Sequence, residues 1–281
     1  RPPTPPPTTS KYIRSRSSSN NGGTDWKELD ISLVGSHSLW AHHLWNASRA
    51  LADFLDENPG ICRGRNVLEL GAGGGLPGLV AALNGARKVV LTDYPDDPLL
   101  ENLRSNVETN IPSAVKPNIS VLGYVWGRRV ETLISASDAT SDGDSTFDII
   151  IMSDLIFNHS QHDALLKTCD LAFRFSNASP IKPLQHSNQP TTLDPKLPLS
   201  SNLSDLSQPI HDRKISTPNV LVFYSHHRPH LASRDLAFFD LARERGWICK
   251  EIVTRRFPPM FPEDPGDEEV RSTVHGWCLT R

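Results

Sequence analysis

The sequence predicts an α/β fold in which a mainly parallel sheet of seven strands is covered by helices on both faces and its last strand runs antiparallel. Three observations point there. Apolar, β-rich runs alternate with helical periodicity from residue 40 onward, as strand–helix–strand units require. The stretch Asn66-Val-Leu-Glu-Leu-Gly-Ala-Gly-Gly-Gly-Leu-Pro-Gly78 reads as a buried strand, a glycine loop and a helix start, with Lys88–Asp93 as the next strand. No helical pattern separates the last two apolar runs, so these should pair with each other.

Taken in order, the helix Leu39–Asn58 opens the regular part, with apolar residues at helical spacing. Strand Asn66–Leu70, helix Leu76–Asn84, strand Lys88–Asp93 and helix Pro98–Asn110 follow. Next come strands Ile119–Tyr124 and Phe147–Ser153, then helix Gln161–Phe175. Strand Val220–Ser225, helix Ser233–Glu244 and strands Trp247–Thr254 and Thr273–Thr280 complete the sheet. Two stretches interrupt this order: Ser135–Thr146 is short and acidic, and Ser176–Thr217 is rich in Ser, Asn, Pro and Leu without steady periodicity. A structureless loop of that length is unusual inside a compact domain, but the composition of this one reads as a disordered surface insertion at about 176–217. Residues 1–25 are dominated by Pro, Ser, Asn and Gly and read as a disordered arm, leaving 26–281 as the domain.

Composition narrows the function. A net charge of −3 carries no footprint for nucleic acid. No apolar run approaches the roughly 20 residues of a membrane span, so a soluble protein without a membrane or nucleic-acid partner is expected; a monomer in the cytoplasm is the accompanying expectation. Cys62, Cys169, Cys249 and Cys278 stand far apart and read as reduced thiols. No metal site is expected: the histidines of Tyr224-Ser-His-His-Arg-Pro-His230 have no carboxylate or cysteine at ligand spacing.

The glycine loop carries the strongest chemical signal. Glycines at 71, 73, 74 and 75 let backbone approach a ligand, and the helix after them aims free N–H groups at it. Asp93, 22 residues beyond Gly71, ends the next strand at the same edge and suits two ribose hydroxyls. Dinucleotides and S-adenosylmethionine both use this geometry. A Gly-x-Gly-x-x-Gly fingerprint counted from Gly71 meets Leu76, and counted from Gly73 meets Gly78 behind Pro77. Glu69, a carboxylate inside an apolar strand, favours S-adenosylmethionine, since it can orient the loop and face the cationic methionine end.

Further residues cluster by topology at the carboxyl edge of the sheet, where open α/β sheets bind ligands. Asp154-Leu-Ile-Phe157 follows the fourth strand. Asp154 reads either as an acceptor for a substrate ammonium, walled by Phe157, or as a helix N-cap. Trp126 follows the third strand, where an adenine would rest, and Trp40 and Trp45 precede the first; each also suits simple core packing. His227 leaves the fifth strand at this edge as a candidate base. The acidic run Met260-Phe-Pro-Glu-Asp-Pro-Gly-Asp-Glu-Glu269 reads as a solvated loop whose charge would attract a basic peptide.

Together these residues resemble the class I, Rossmann-like, seven-stranded S-adenosylmethionine-dependent methyltransferases, and within them the group that modifies lysines of non-histone proteins. Leu44-Trp45-Asn46, Leu68-Glu-Leu-Gly-Ala-Gly73, Thr92-Asp93-Tyr94, Trp126-Gly127 and Ser153-Asp-Leu-Ile-Phe157 carry the resemblance. Asp93-Tyr-Pro-Asp, Asp154-Leu-Ile-Phe-Asn-His159, Ser225-His-His-Arg-Pro-His230 and Met260-Phe-Pro-Glu-Asp264 are similar to a fungal subgroup. These nicotinamide N-methyltransferase-like proteins are regarded as N-terminal and lysine methyltransferases of translation elongation factor 1-alpha. The resemblance implies cofactor contacts at Trp45, Gly71, Ala72, Gly73, Asp93, Trp126 and Ser153, beside the Glu69 read from its place in the strand, and that factor as partner; the residues themselves make Asp154 the candidate ammonium anchor, Phe157 a channel wall, and His227 or bulk water the proton acceptor. Methylation of a small pyridine such as nicotinamide, a non-catalytic binding module and an NAD-dependent oxidoreductase are the competing readings.

Overall fold

The structure, a computed structural model, describes residues 5–14, 25–137, 147–173 and 219–281. The expected insertion at 176–217 lies outside the described residues. So does most of the acidic stretch Ser135–Thr146.

The chain runs β1 (Thr8–Ile13), β2 (Glu28–Leu33), α1 (Asn46–Glu57), β3 (Asn66–Leu70), α2 (Leu76–Leu83), β4 (Lys88–Asp93), α3 (Asp97–Asn110) and β5 (Ile119–Gly123). It continues with α4 (Glu131–Ala136), β6 (Ile149–Ser153), α5 (His162–Ala172), β7 (Asn219–Ser225), α6 (Ala232–Glu244), β8 (Ile248–Arg256), α7 (Glu268–Ser272) and β9 (Thr273–Thr280). Seven strands form one sheet in the order β5-β4-β3-β6-β7-β9-β8. The first five are parallel, and β9 runs antiparallel to both β7 and β8. Every residue of β3, β4, β6 and β7 is buried, as a parallel sheet covered on both faces demands. One core layer joins Leu68, Ile150, Val222 and Tyr224 of the sheet to Leu165 and Cys169 of α5 and to Phe238 and Phe239 of α6. Helices α1, α2 and α3 pack on the sheet as well, α1 against β7, α2 against β4 and α3 against β5. Sheet order reverses between β3 and β6, which opens a crevice at their carboxyl ends.

The expectation of a disordered arm is corrected over residues 8–13, which form β1, paired antiparallel with β2 from Thr8↔Leu33 to Ile13↔Glu28. Only Tyr12 of β1 is buried, so its sequence carries little apolar signal. Specific polar ties hold it instead. Tyr12 Oη donates to Asp53 Oδ1 at 2.6 Å, and the Arg14 guanidinium meets Asp56 at 2.9 and 3.0 Å. Strand β2 is fastened by Asn106 and Asn110, one turn apart on α3. Asn106 Oδ1 accepts from Ser32 N–H and Asn110 Oδ1 from Asp30 N–H, both at 2.8 Å. Their amide nitrogens donate back to the Ser32 and Asp30 carbonyls at 2.8 and 2.9 Å. Four helical residues rise about 6 Å and two strand residues about 6.8 Å, so two helix amides match two alternate strand positions.

The first helix is shorter than the predicted Leu39–Asn58. Residues 38–43 are turns, Trp40 sits at φ 62°, and α1 starts only after Trp45, whose backbone is extended. The short helices α4 and α7 were not expected. Asp267 Oδ1 caps α7, accepting from Glu269 N–H at 2.8 Å. All four cysteines are free, and burial pushes the Cys62 thiol up to about 12. Among the described residues no helix is long and apolar enough to cross a membrane, and no group of His, Cys, Asp or Glu could hold a metal ion.

Candidate active site

The glycine loop leaves β3 at Gly71, whose φ of 59° an L side chain rarely adopts. A Cβ there would also come within 2.6 Å of Leu155 and 3.1 Å of Trp126. Gly71 therefore lies against the indole of Trp126. Gly73, at φ 55°, is the opposite case: a Cβ built on it meets no described atom within 4 Å. The loop is tied to β4, for Ala72 N–H donates to the Thr92 carbonyl at 2.9 Å, and Thr92 Oγ1 donates to the Glu69 carbonyl at 2.7 Å.

Asp93, buried at the end of β4, accepts from Gly73 N–H through Oδ2 and from Tyr94 N–H through Oδ1, both at 2.7 Å. Burial lifts its carboxyl above the ordinary aspartate value, and these two bonds, with the field of His37, oppose that shift. Each oxygen keeps a lone pair for a further donor.

Glu69 is fully buried in β3. Its Oε2 accepts from Gly78 N–H at 2.9 Å, in the first turn of α2, so the carboxyl does orient the loop–helix junction. A side chain on Gly78 would collide with that oxygen. Oε1 has no partner among the described residues. Burial first, with the field of Asp93 adding, pushes the Glu69 carboxyl up to about 8.

A second cluster forms where β6 and β7 end. Ser153 closes β6 and is buried. Asp154 follows at φ 56°, and its N–H donates to the Phe223 carbonyl at 2.8 Å. Its side chain is buried. Oδ1 accepts from His227 Nε2 at 3.0 Å and from Ser225 N–H at 3.3 Å, while Oδ2 has no partner among the described residues. The N-cap alternative for Asp154 is thereby removed, because α5 starts only at His162, after Gln161. A non-glycine residue at positive φ with an unsatisfied buried oxygen is the kind of stored strain that marks a working site.

His227 folds back at the end of β7, its N–H donating to the Ser225 carbonyl at 3.0 Å. Burial disfavours the charged imidazole, but the adjacent Asp154 carboxylate, by its field and its hydrogen bond, more than offsets this and sets the pKa above the ordinary histidine value. The ring packs on Trp45 with centroids 4.8 Å apart. Phe261 and His43 complete the group at 6.0 and 5.2 Å from Trp45. Trp45 thus stands beside His227, the partner of Asp154. Phe157, in the turn after β6, is 38% exposed.

These groups lie at or just beyond the carboxyl ends of β3, β4, β5, β6 and β7, joined by His43 and Trp45 from the turns before α1 and by Phe261 from the loop between β8 and α7. Sequence reasoning missed Leu155, His43 and Phe261 as members. Their only signals were their places inside the Asp154–His159, Leu39–Trp45 and Met260–Glu269 stretches.

A family model described as lysine methyltransferase matches residues 24–177. The protein N-terminal and lysine N-methyltransferase EFM7 of Cryptococcus neoformans is 44% identical over 257 residues, 91% of this chain and 76% of the relative. Its counterpart efm7 in Schizosaccharomyces pombe is 40% identical over 282 residues, 100% of this chain and 91% of the relative. A Streptococcus mutans structure assigned to the S-adenosylmethionine-dependent methyltransferases has a TM-score of 0.50 at 12% identity. The match covers 90% of this chain and 53% of that one, and it speaks to the fold alone. This chain belongs to the lysine methyltransferase family and is an S-adenosylmethionine-dependent N-methyltransferase.

Proposed function

We propose that this protein methylates the N-terminal α-amine and an adjacent lysine of translation elongation factor 1-alpha, in the cytoplasm. The observation that carries an amine acceptor is the buried Oδ2 of Asp154, an anionic oxygen with no described partner at the carboxyl edge of the sheet. The names of the curated relatives support both acceptor amines, and the resemblance of the Asp154–His159 and Ser225–His230 stretches supports the elongation factor.

The cofactor side fits a nucleoside. Gly73 opens a cradle that a Cβ would fill, Trp126 offers a flat face beside Gly71, and Asp93 keeps acceptor capacity for ribose hydroxyls. Glu69 holds the loop–helix junction behind the cofactor by accepting from Gly78 N–H. Ala72 contributes backbone, and Ser153, buried at the end of β6 next to Asp154 in the chain, contributes from the other side. When bound, S-adenosylmethionine supplies an electrophilic methyl group on a sulfonium.

The rest is positioning and proton handling. The incoming ammonium donates to Asp154 Oδ2, with Phe157 and neighbouring aromatics walling its alkyl part. It must lose a proton before its lone pair can attack in line, with the reacting atoms roughly 3 Å apart. His227 in its neutral form accepts that proton on Nδ1, since Nε2 already donates its hydrogen to Asp154 Oδ1, and the imidazolium that forms is held against the carboxylate. An α-amine with a pKa near 8 is about a tenth neutral at pH 7, whereas a lysine near 10.4 needs roughly 4–5 kcal/mol to become so. The α-amine is the easier first acceptor.

Incubation with isotopically labelled S-adenosylmethionine and either elongation factor 1-alpha or nicotinamide, followed by mass spectrometry, tests this. Label on the factor's first residues is expected. Label on nicotinamide alone would move the reaction to a small pyridine.

A further inference from the structure

A second histidine–carboxylate cluster lies behind the acceptor site and is unused by the mechanism above. Asp235, in the first turns of α6, is 4% exposed, and each of its carboxylate oxygens meets a different histidine. Oδ1 lies 2.6 Å from His159 Nε2, and Oδ2 lies 2.7 Å from His226 Nδ1. A carboxylate can only accept, so both ring nitrogens present N–H to it. This fixes His226 with its proton on Nδ1.

The two histidines belong to different loops. His159 ends the Asp154-Leu-Ile-Phe-Asn-His159 segment that carries Asp154 and Phe157. His226 immediately precedes His227 and is itself buried, with Tyr224 edge-on at 5.2 Å and His275 at 5.6 Å. His162 steadies the first loop, its Nε2 bonded to the Ile156 carbonyl at 2.6 Å and its ring edge-on to His159 at 5.6 Å. The links close a ring: Asp154 to His227, along the chain to His226, across Asp235 to His159, and back along the chain to Asp154.

We propose that Asp235 is a positioning residue of the acceptor site, which acts through His159 and His226 to hold the loop bearing Asp154 in register with the loop bearing His227. The proposal rests on the acceptor-site reading given under Proposed function. Asp154 and His227 must stay within hydrogen-bond reach, and a misplacement of about 1 Å costs up to about a hundredfold in rate.

The test uses the full chain with elongation factor 1-alpha as acceptor. Asp235→Asn is expected to lower kcat about tenfold to a hundredfold while the dissociation constant for S-adenosylmethionine stays at the wild-type value. Nitrogen-15 imidazole spectra should show His226 losing its Nδ1–H tautomer. His159→Ala in the Asp235→Asn background should add no further loss, since both changes break one network. A wild-type kcat for Asp235→Asn, a kcat loss matched by an equal loss of cofactor affinity, or additive losses would overturn the proposal. Should Asp235→Asn not fold, His159→Ala carries the same test, and wild-type turnover in it is equally fatal. Asp154→Ala separates the two layers. If it turns over normally the acceptor-site reading itself fails; if it is inactive while Asp235→Asn is fully active, only the positioning role fails.

Discussion

Asp154 Oδ1 and His227 Nε2 stand 3.0 Å apart, a buried carboxylate and an imidazole brought together from the ends of two neighbouring parallel strands. The carboxylate's other oxygen is left without a described partner, and its backbone sits at φ 56°. Both features cost stability, about 1–3 kcal/mol for the oxygen and about 1–2 kcal/mol for the left-handed backbone.

Asp154→Ala should abolish methyl transfer while S-adenosylmethionine binds as before. Asp154→Gly should be equally inactive yet at least as stable as wild type, gaining about 1 kcal/mol as the strain is relieved. Urea denaturation reads this directly, and a less stable glycine variant would show that no strain is stored there.

The pairing also predicts a pH signature. The folded-state pKa of His227 is raised, so its contribution to stability is complete below the unfolded value of about 6.5 and is lost as pH rises through the folded value. The stability gap between wild type and His227→Asn should be widest in mildly acidic buffer and close in alkaline buffer. A gap that widens with pH would mean the folded protein does not favour the charged imidazole.

Glu69 behaves in the same direction for another reason. Its carboxyl is raised to about 8 by burial, so the folded state tolerates it best when protonated. The contribution is full below the unfolded carboxyl value of about 4.3 and is lost as pH rises. Glu69→Gln should therefore gain on wild type as pH rises toward about 8 and keep that gain above it, and its cofactor affinity should fall below that of wild type only above about 8, where the wild-type carboxyl is ionised. Parallel thermal melts across that range, with calorimetric titration of cofactor, decide both points.

Gly71 and Gly73 share a positive φ but differ in surroundings, and their alanine variants should differ accordingly. Gly71→Ala meets Leu155 and Trp126 and should lose about 1–3 kcal/mol to overpacking beyond the backbone strain. Gly73→Ala meets nothing, so its stability should fall by only the strain of about 1–2 kcal/mol, while cofactor affinity drops sharply. The reverse ranking in binding would argue that the cofactor does not lie against Gly73.

Asn106 links the extra hairpin to the cofactor loop, since its Nδ2 donates to the Ser32 carbonyl at 2.8 Å and to the Gly74 carbonyl at 3.0 Å. Asn106→Ala strands the Ser32 N–H and the Gly74 carbonyl, while the Ser32 carbonyl keeps its bond from Asn102 at 2.9 Å, and it should cost about 2–4 kcal/mol. A loss below about 1 kcal/mol, the worth of one ordinary hydrogen bond, would show that water replaces the amide.

Regular elements were legible wherever the pattern was apolar and periodic. The strands β3, β4, β6 and β7 fall almost where their runs of Val, Ile and Leu place them, because burial on both faces leaves no other reading. β1 and the shortened α1 were not legible. β1 is held by Tyr12–Asp53 and Arg14–Asp56, partners 41 and 42 residues away, and the start of α1 is set where the Asn46 amide reaches the Pro258 carbonyl, 212 residues on.

By itself, then, the sequence determined the strand–loop–helix cofactor motif, the parallel sheet and the candidacy of Asp154, all of which rest on contacts short in sequence or on residue type alone. Only the tertiary structure decided that His227 rather than solvent meets Asp154, that Trp45, His43 and Phe261 gather beside it, and that Asp235 bridges His159 and His226. Those pairings depend on sheet order and on where loops turn, and hydrogen bonds across tens to hundreds of residues leave no periodic trace in the chain.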